Sequence, residues 1–186
     1  ITRGVVDDGP VSILVETHGR NDHLLGTGPE TPQADLTRTV GWFTVAAPVS
    51  VDPSISAIRA VKSAKEERLG RPSGGIGFGL LRYAPESDLG DRPLPAIGFN
   101  FFGAGRATAT ETPELTDIPF TPAADAPGYP PSASGAMPVL NTVSLNVGVA
   151  HVDGQRELVA RFGYPSKLFA ESDIDDLAQR WADELA

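Results

Sequence analysis

The chain has 186 residues, 40% apolar and 21% charged, which suits one globular domain or one lobe of a larger one and argues against global disorder. Its net charge of −9 speaks against a general nucleic-acid or anionic-membrane surface, and no apolar run approaches the ~20 residues of a membrane span. It has no cysteine, so disulfides, thiolate metal sites and a cysteine nucleophile are excluded.

The start, ITRGVVDDGP, has no apolar signal-peptide core and no initiator Met, so the chain reads as a piece of something longer. Val11–Glu16 reads as a strand, mostly apolar and suited to burial on both faces. Residues 24 to 37, LLGTGPETPQADLT, carry turn formers and read as a loop. Thr39 to Val51, TVGWFTVAAPVSV, is β-branched and aromatic and reads as a second strand, with Pro48 marking a break or an edge position. Asp52-Pro53-Ser54 reads as a helix start, followed by SISAIRAVKSAKEERLG with Ile55, Ile58, Val61 and Leu69 on one stripe and Gly70 to end it.

GGIGFG suggests a tight loop, and GFGLLRYA a short helix. Pro95 to Phe102 reads as a strand, and residues 104 to 138 as a long surface connection. Asn141 to His151 and Arg156 to Tyr164 read as strands joined at Asp153-Gly154, a hairpin signal. Ser172 is placed to cap a last helix with Ile174, Leu177, Ala178, Trp181 and Leu185 on one face. There is no internal repeat. The order of elements predicts an α/β two-layer sandwich with a mixed β-sheet packed by helices.

The candidate chemistry starts at Glu16. A carboxylate at the end of a buried strand can be desolvated, which raises its pKa and makes it a usable general acid or base. The plainer alternative is a strand-end acid paired with Arg20 or facing water. His18 can share a face with Glu16, but a histidine at such a corner more often bonds the backbone and locks a loop. His18 and His23 do not have a zinc spacing, and the third histidine is far away at His151, so metal binding is not expected. GGIGFG lacks the GK[ST] of a phosphate loop and the preceding strand of a dinucleotide fingerprint. Ser12, Ser50, Ser54, Ser56, Ser63 and Ser73 lack the G-x-S-x-G setting of a hydrolase. Asn100 faces opposite to Phe99 and Phe101 by alternation, to bond a neighbouring backbone or to orient a substrate carbonyl.

Taken in order, ETHGR, RTVGWFTVAAPVSVDP, RPSGGIGFGLLRYA, IGFNFFG and the closing HVDGQRELVARFGYPSKLF…IDDLAQRWADEL carry a more specific signal. They resemble the epimerization domains of non-ribosomal peptide synthetases, whose patterns are roughly EGHGRE, RTVGWFTxxYPV, PxxGxGYGxLRYL and FNYLG. The resemblance runs from Val11 to the last helix. It implies one of the two chloramphenicol acetyltransferase-like lobes of that family. The family's HHxxxDG motif belongs to the N-terminal lobe and occurs nowhere in this chain, so residues 1–186 are expected to be the C-terminal lobe alone.

The implied activity is interconversion of L and D configuration at Cα of an aminoacyl or peptidyl thioester, with no intrinsic cofactor. The substrate is carried on the phosphopantetheine arm of a peptidyl carrier domain. By the same resemblance, Glu16 is one of two acid/base groups flanking Cα, the histidine of the missing lobe being the other, or stabilising the enolate oxygen. Asn100 is placed near the active-site tunnel. Phe101 stands where the family has a tyrosine, and His18 and Arg20 shape the corner that presents Glu16. The implied partners are the N-terminal lobe and the carrier domain, with no nucleic acid and no membrane, in the cytoplasm. The isolated lobe is expected to be inactive.

Thr17, Phe78, Ala46 and Ala47 also depart from the family patterns. The alternatives are a condensation-domain lobe that forms peptide bonds, against which RTVGWFT and ETHGR argue, and a non-catalytic docking or scaffold lobe.

Overall fold

The computed structural model describes residues 10–20, 36, 38–104, 138–152 and 155–185. The N-terminal stretch, His23, nearly all of the 24–37 and 104–138 connections, and Asp153-Gly154 lie outside the described residues.

Five strands form one mixed sheet. They are β1 (Val11–Thr17), β2 (Val45–Val51), β3 (Ile97–Ala104), β4 (Val143–Val152) and β5 (Gln155–Gly163), in the order β2-β1-β3-β4-β5. The parallel pairs are β1–β3 and β3–β4, and the antiparallel pairs are β1–β2 and β4–β5. Three helices accompany them: α1 (Ala57–Leu69), α2 (Ile76–Arg82) and α3 (Glu171–Asp183). The protein is therefore α/β with a helix-packed mixed sheet. Among the described residues no helix is long and apolar enough to cross a membrane.

Alternate residues of each strand share a face. One face carries Val11, Val45, Ala47, Val49, Val143 and Val147, all buried. The helices lie on this side. Helices α1 and α2 pack against β2, with Gly75 close to the Ala47 methyl. Trp181 of α3 meets Phe162 of β5 edge to face, with ring centroids 6.1 Å apart. Burying such valines is worth roughly 1.5–3 kcal/mol each, which makes this face the stabilising one. The opposite face carries Leu14, fully buried beside Gly98 of β3. A side chain at Gly98 would collide with Asn141, whose amide donates to the Pro95 carbonyl at 2.8 Å.

Three sequence expectations are corrected. First, the second strand begins at Val45, not Thr39. The carbonyl of Thr39 accepts from the Arg20 guanidinium, so this part of the chain is held by a side chain and not by a strand neighbour. Pro48 does sit on an edge strand, paired with Leu14, where its missing N–H leaves no gap in the ladder.

Second, α1 begins at Ala57, because Asp52 is used otherwise: its carboxylate accepts from the Ser54 amide at 2.9 Å and the Ser54 hydroxyl at 2.6 Å. This local turn competes with helix initiation. The expected stripe is also turned outward, with Ile58, Val61 and Leu69 at 71%, 67% and 63% exposure, while Ala60, Ala64 and Glu67 are the less exposed positions. Small alanines let the helix lie close to β2, and Glu67 is held there by the Ser50 amide and by Arg71.

Third, Ser172 is inside α3 and does not cap it. The cap position is Ala170, whose amide donates to the Asp173 carboxylate at 3.1 Å. The apolar face of α3 otherwise behaves as expected, with Ile174 buried and Leu177, Ala178 and Trp181 half-buried. Leu185, beyond the helix, is exposed.

Candidate active site

The strand β1 ends at Thr17 because the chain must turn at Gly19, whose φ is +61°. Any side chain at Gly19 would run into the Phe43 carbonyl. The next residue, Arg20, reaches across the turn. Its guanidinium donates to the carbonyls of Leu36 at 2.7 Å and Thr39 at 2.9 Å, and lies 4.5 Å over the Phe43 ring. Arg20 thus ties the ETHGR turn to the RTVGWF segment, which presents Val40 and Trp42 almost fully exposed.

His18 is exposed, and its Nδ1 accepts the Arg20 backbone N–H at 3.0 Å. This is the loop-locking role, and it takes His18 out of the strand alternation that would have set it beside Glu16. Arg20, engaged with carbonyls and Phe43, does not form the ion pair with Glu16 that the plainer reading allowed.

Glu16 instead meets Asn100. The Asn100 Nδ2 donates to Glu16 Oε2 at 3.1 Å, joining residues 84 apart in the chain. The parallel register makes this contact: Val15 pairs with Phe99, so the next residues on each strand stand side by side. Burial raises the Glu16 carboxyl above its ordinary pKa. A carboxyl so raised is a better proton carrier near neutral pH than an exposed glutamate. Glu16 and Asn100 project from the face opposite the helix-packed valines.

The structure brings Glu16 and Asn100 together, sets His18 and Arg20 at the adjoining corner, and leaves Phe101 apart. Phe101 projects from the other face, opposite Val147, and is 51% exposed. Its missing hydroxyl is therefore not subtracted from the Glu16 side. A cavity of about 110 Å³ on the helix side of β2 is bordered by Thr17, His18 and Gly19 of the turn together with Val45, Ala47, Arg68 and Arg71, and does not include Glu16. Among the described residues, no three metal-binding side chains gather.

One residue of the Glu16 face escaped the sequence reading. Asn146 of β4 pairs with Asn100. It is a lone amide in an apolar strand, as Asn100 is, and that pattern is the signal that finds it.

No family model matches the chain. Its relatives include tyrocidine synthase 1 of Brevibacillus parabrevis, 31% identical over 185 residues, covering 94% of this chain and 16% of that protein. Chondramide synthase cmdD of Chondromyces crocatus is 37% identical over 114 residues, 60% of this chain and 3% of that protein. Among solved structures, the epimerization domain from the third module of tyrocidine synthetase B superposes with a TM-score of 0.63 at 27% identity. That match covers 95% of this chain and 36% of the other. The chain thus spans a small part of the synthases it matches.

Proposed function

For a chain that is part of a non-ribosomal peptide synthetase domain of the epimerization and condensation family, we propose the role of C-terminal lobe of an epimerase, with Glu16 as one acid/base of a split pair. The observation that carries this is the Glu16–Asn100 contact: a half-buried carboxyl of raised pKa, held by an amide on the sheet face away from the helices.

The chemistry follows from inversion at carbon. A thioester acidifies its α-proton, and removal leaves an enolate whose two faces can each accept a proton. Epimerization needs a group on each side. Glu16 supplies one from this lobe by taking or returning the α-proton, and Asn100 holds its carboxylate in place by donating to Oε2. The second group comes from the facing N-terminal lobe, the HHxxxDG histidine in this reading. The substrate arrives as an aminoacyl or peptidyl thioester on the phosphopantetheine arm of a carrier domain, so no cofactor of the lobe's own is invoked. His18 and Arg20 act on the turn beside Glu16 and do not touch the reacting carbon.

The test is washout or uptake of solvent deuterium at Cα of an aminoacyl carrier-protein thioester. In the two-lobe domain Glu16→Gln should reduce exchange about 10³-fold, within the range of a lost acid/base group. Retained exchange would remove Glu16 from the mechanism. The 186-residue chain alone should give no exchange; exchange by it would refute the split pair.

A further inference from the structure

Strand β5 pairs with β4 on one side and, among the described residues, with no strand on the other. Val152 and Gln155 face each other across a two-residue connection, which makes theirs a hydrogen-bonded pair. The register runs unbroken from there to Gly163. Gln155, Glu157, Val159 and Arg161 therefore direct their main-chain N–H and C=O groups at β4. Arg156, Leu158, Ala160 and Phe162 turn theirs to the open edge.

The side chains follow the same alternation. Arg161 stands opposite Asn146 on the Glu16 side of the sheet, so Glu157 and Val159 stand on that side too. Glu157 and Arg161 are exposed, and Leu158, on the helix side, is 48% exposed. Glu157 and Arg161 are four residues apart on one strand, about 14 Å, which is too far for them to pair with each other.

We propose that β5 pairs antiparallel with β5 of a second copy of this chain, about a two-fold axis through Val159, independently of the chemistry at Glu16. Strands can join only where outward main-chain groups meet outward ones. An axis through Val159 satisfies this: Leu158 meets Ala160 of the second copy, and Arg156 meets Phe162. The same register sets Glu157 opposite Arg161 of the second copy, and Arg161 opposite Glu157. An axis through Leu158 would set Glu157 against Val159 and Arg161 against Gln155. An axis through Ala160 would set Glu157 against Gly163 and Arg161 against Val159. Charge therefore selects one register of the three. Glu157 and Arg161 meet at non-hydrogen-bonded positions, where facing side chains are closest. Charges on an edge strand ordinarily discourage strand addition. Here the two signs are spaced evenly about Val159, so a second copy turns them into two attractions, which an unrelated strand would not match. Leu158 gains cover against Ala160 on the helix side. The axis is perpendicular to the sheet, so both Glu16 faces lie on the same side of one doubled sheet.

Sedimentation of the two-lobe domain tests the pairing. The parent should dimerise reversibly, and more weakly in high salt, since the ion pairs are exposed. Glu157→Arg alone and Arg161→Glu alone each set like charges opposite at both ends of the pair. Each should weaken the dimer about tenfold or more. Mixed in equal amounts, the two variants should associate again, because each brings the sign that the other lacks. A parent that stays monomeric at millimolar concentration would overturn the pairing. So would a single variant that dimerises as tightly as the parent, or a mixture that fails to associate.

A cross-link gives a second reading that does not depend on charge. This chain has no cysteine of its own. Across the axis the two Val159 Cα atoms would lie ~4.5 Å apart, within disulfide reach. Mild oxidation of Val159→Cys should therefore join two copies through that position, identified by peptide mass spectrometry, and Gln155→Cys should not be joined to itself. Linkage of Gln155→Cys without linkage of Val159→Cys would show a different register and overturn the two-fold at Val159.

Discussion

The two faces of the sheet are built from the same strands and differ in what they hold. On one, Val45, Ala47, Val49, Val143 and Val147 are buried, with α1 and α2 packed against β2. On the other, Glu16, Asn100, Asn146 and Arg161 stand on β1, β3, β4 and β5, away from the side on which the described helices lie. Because side chains alternate with period two, a shift of one position moves a residue from the stabilising layer to the chemical one. Substitutions on the two faces should therefore fail in different ways.

The largest effect should come from Glu16→Gln in the two-lobe domain, with exchange down about 10³-fold, equivalent to about 4 kcal/mol of barrier. Next, Val147→Ala on the opposite face should lower unfolding free energy by about 2 kcal/mol in a urea melt, and leave exchange by the folded protein at the parent rate. If it instead abolished exchange in folded protein, the division between faces would fail. Asn100→Leu should slow exchange by about tenfold, the loss of one hydrogen bond to a charged group, and should shift the acid limb of the pH–rate profile.

The pH dependence sharpens the contrast further. A base must be ionised, and the Glu16 carboxyl is raised, so the rate should begin to fall at a higher pH than for an ordinary glutamate. The same shift has a stability consequence of opposite sign to the usual paired carboxylate. A folded pKa above the unfolded one gives stability that is present below the unfolded pKa and is lost as pH rises through the folded pKa. Glu16→Gln should therefore melt slightly above the parent at neutral pH, with the gap closing in acid. A variant that loses both activity and stability at neutral pH would show that Glu16 holds the fold.

Much of this division was legible from the residues. The hairpin of β4 and β5 is readable because Asp153-Gly154 dictates a two-residue connection, and that register also places Asn146 opposite Arg161. Glu16 and Asn100 are each visible as polar interruptions of apolar strands. Their meeting is not, because it depends on parallel pairing between segments 84 residues apart. The helices show the same limit. In α3 the apolar face is also the covered face, whereas in α1 the bulky stripe of Ile58, Val61 and Leu69 points out and small alanines face the sheet. Periodicity identifies an apolar face, but what lies against it is set by tertiary packing. The late start of β2 has a similar cause, a guanidinium from Arg20 that competes for backbone carbonyls.

The outer edge of β2 bears on how these molecules meet one another. Pro48 has no N–H to offer there, its carbonyl is taken by Arg71, and the Ser50 N–H is taken by the Glu67 carboxylate. An incoming strand would find its partners occupied. At the other end of the sheet, β5 has a described strand neighbour on one side only. A sheet that can recruit at one edge alone can join a second copy back to back, but it cannot grow by repeated addition. A proline and two charged side chains thus hinder strand addition at Pro48 and Ser50 of this edge.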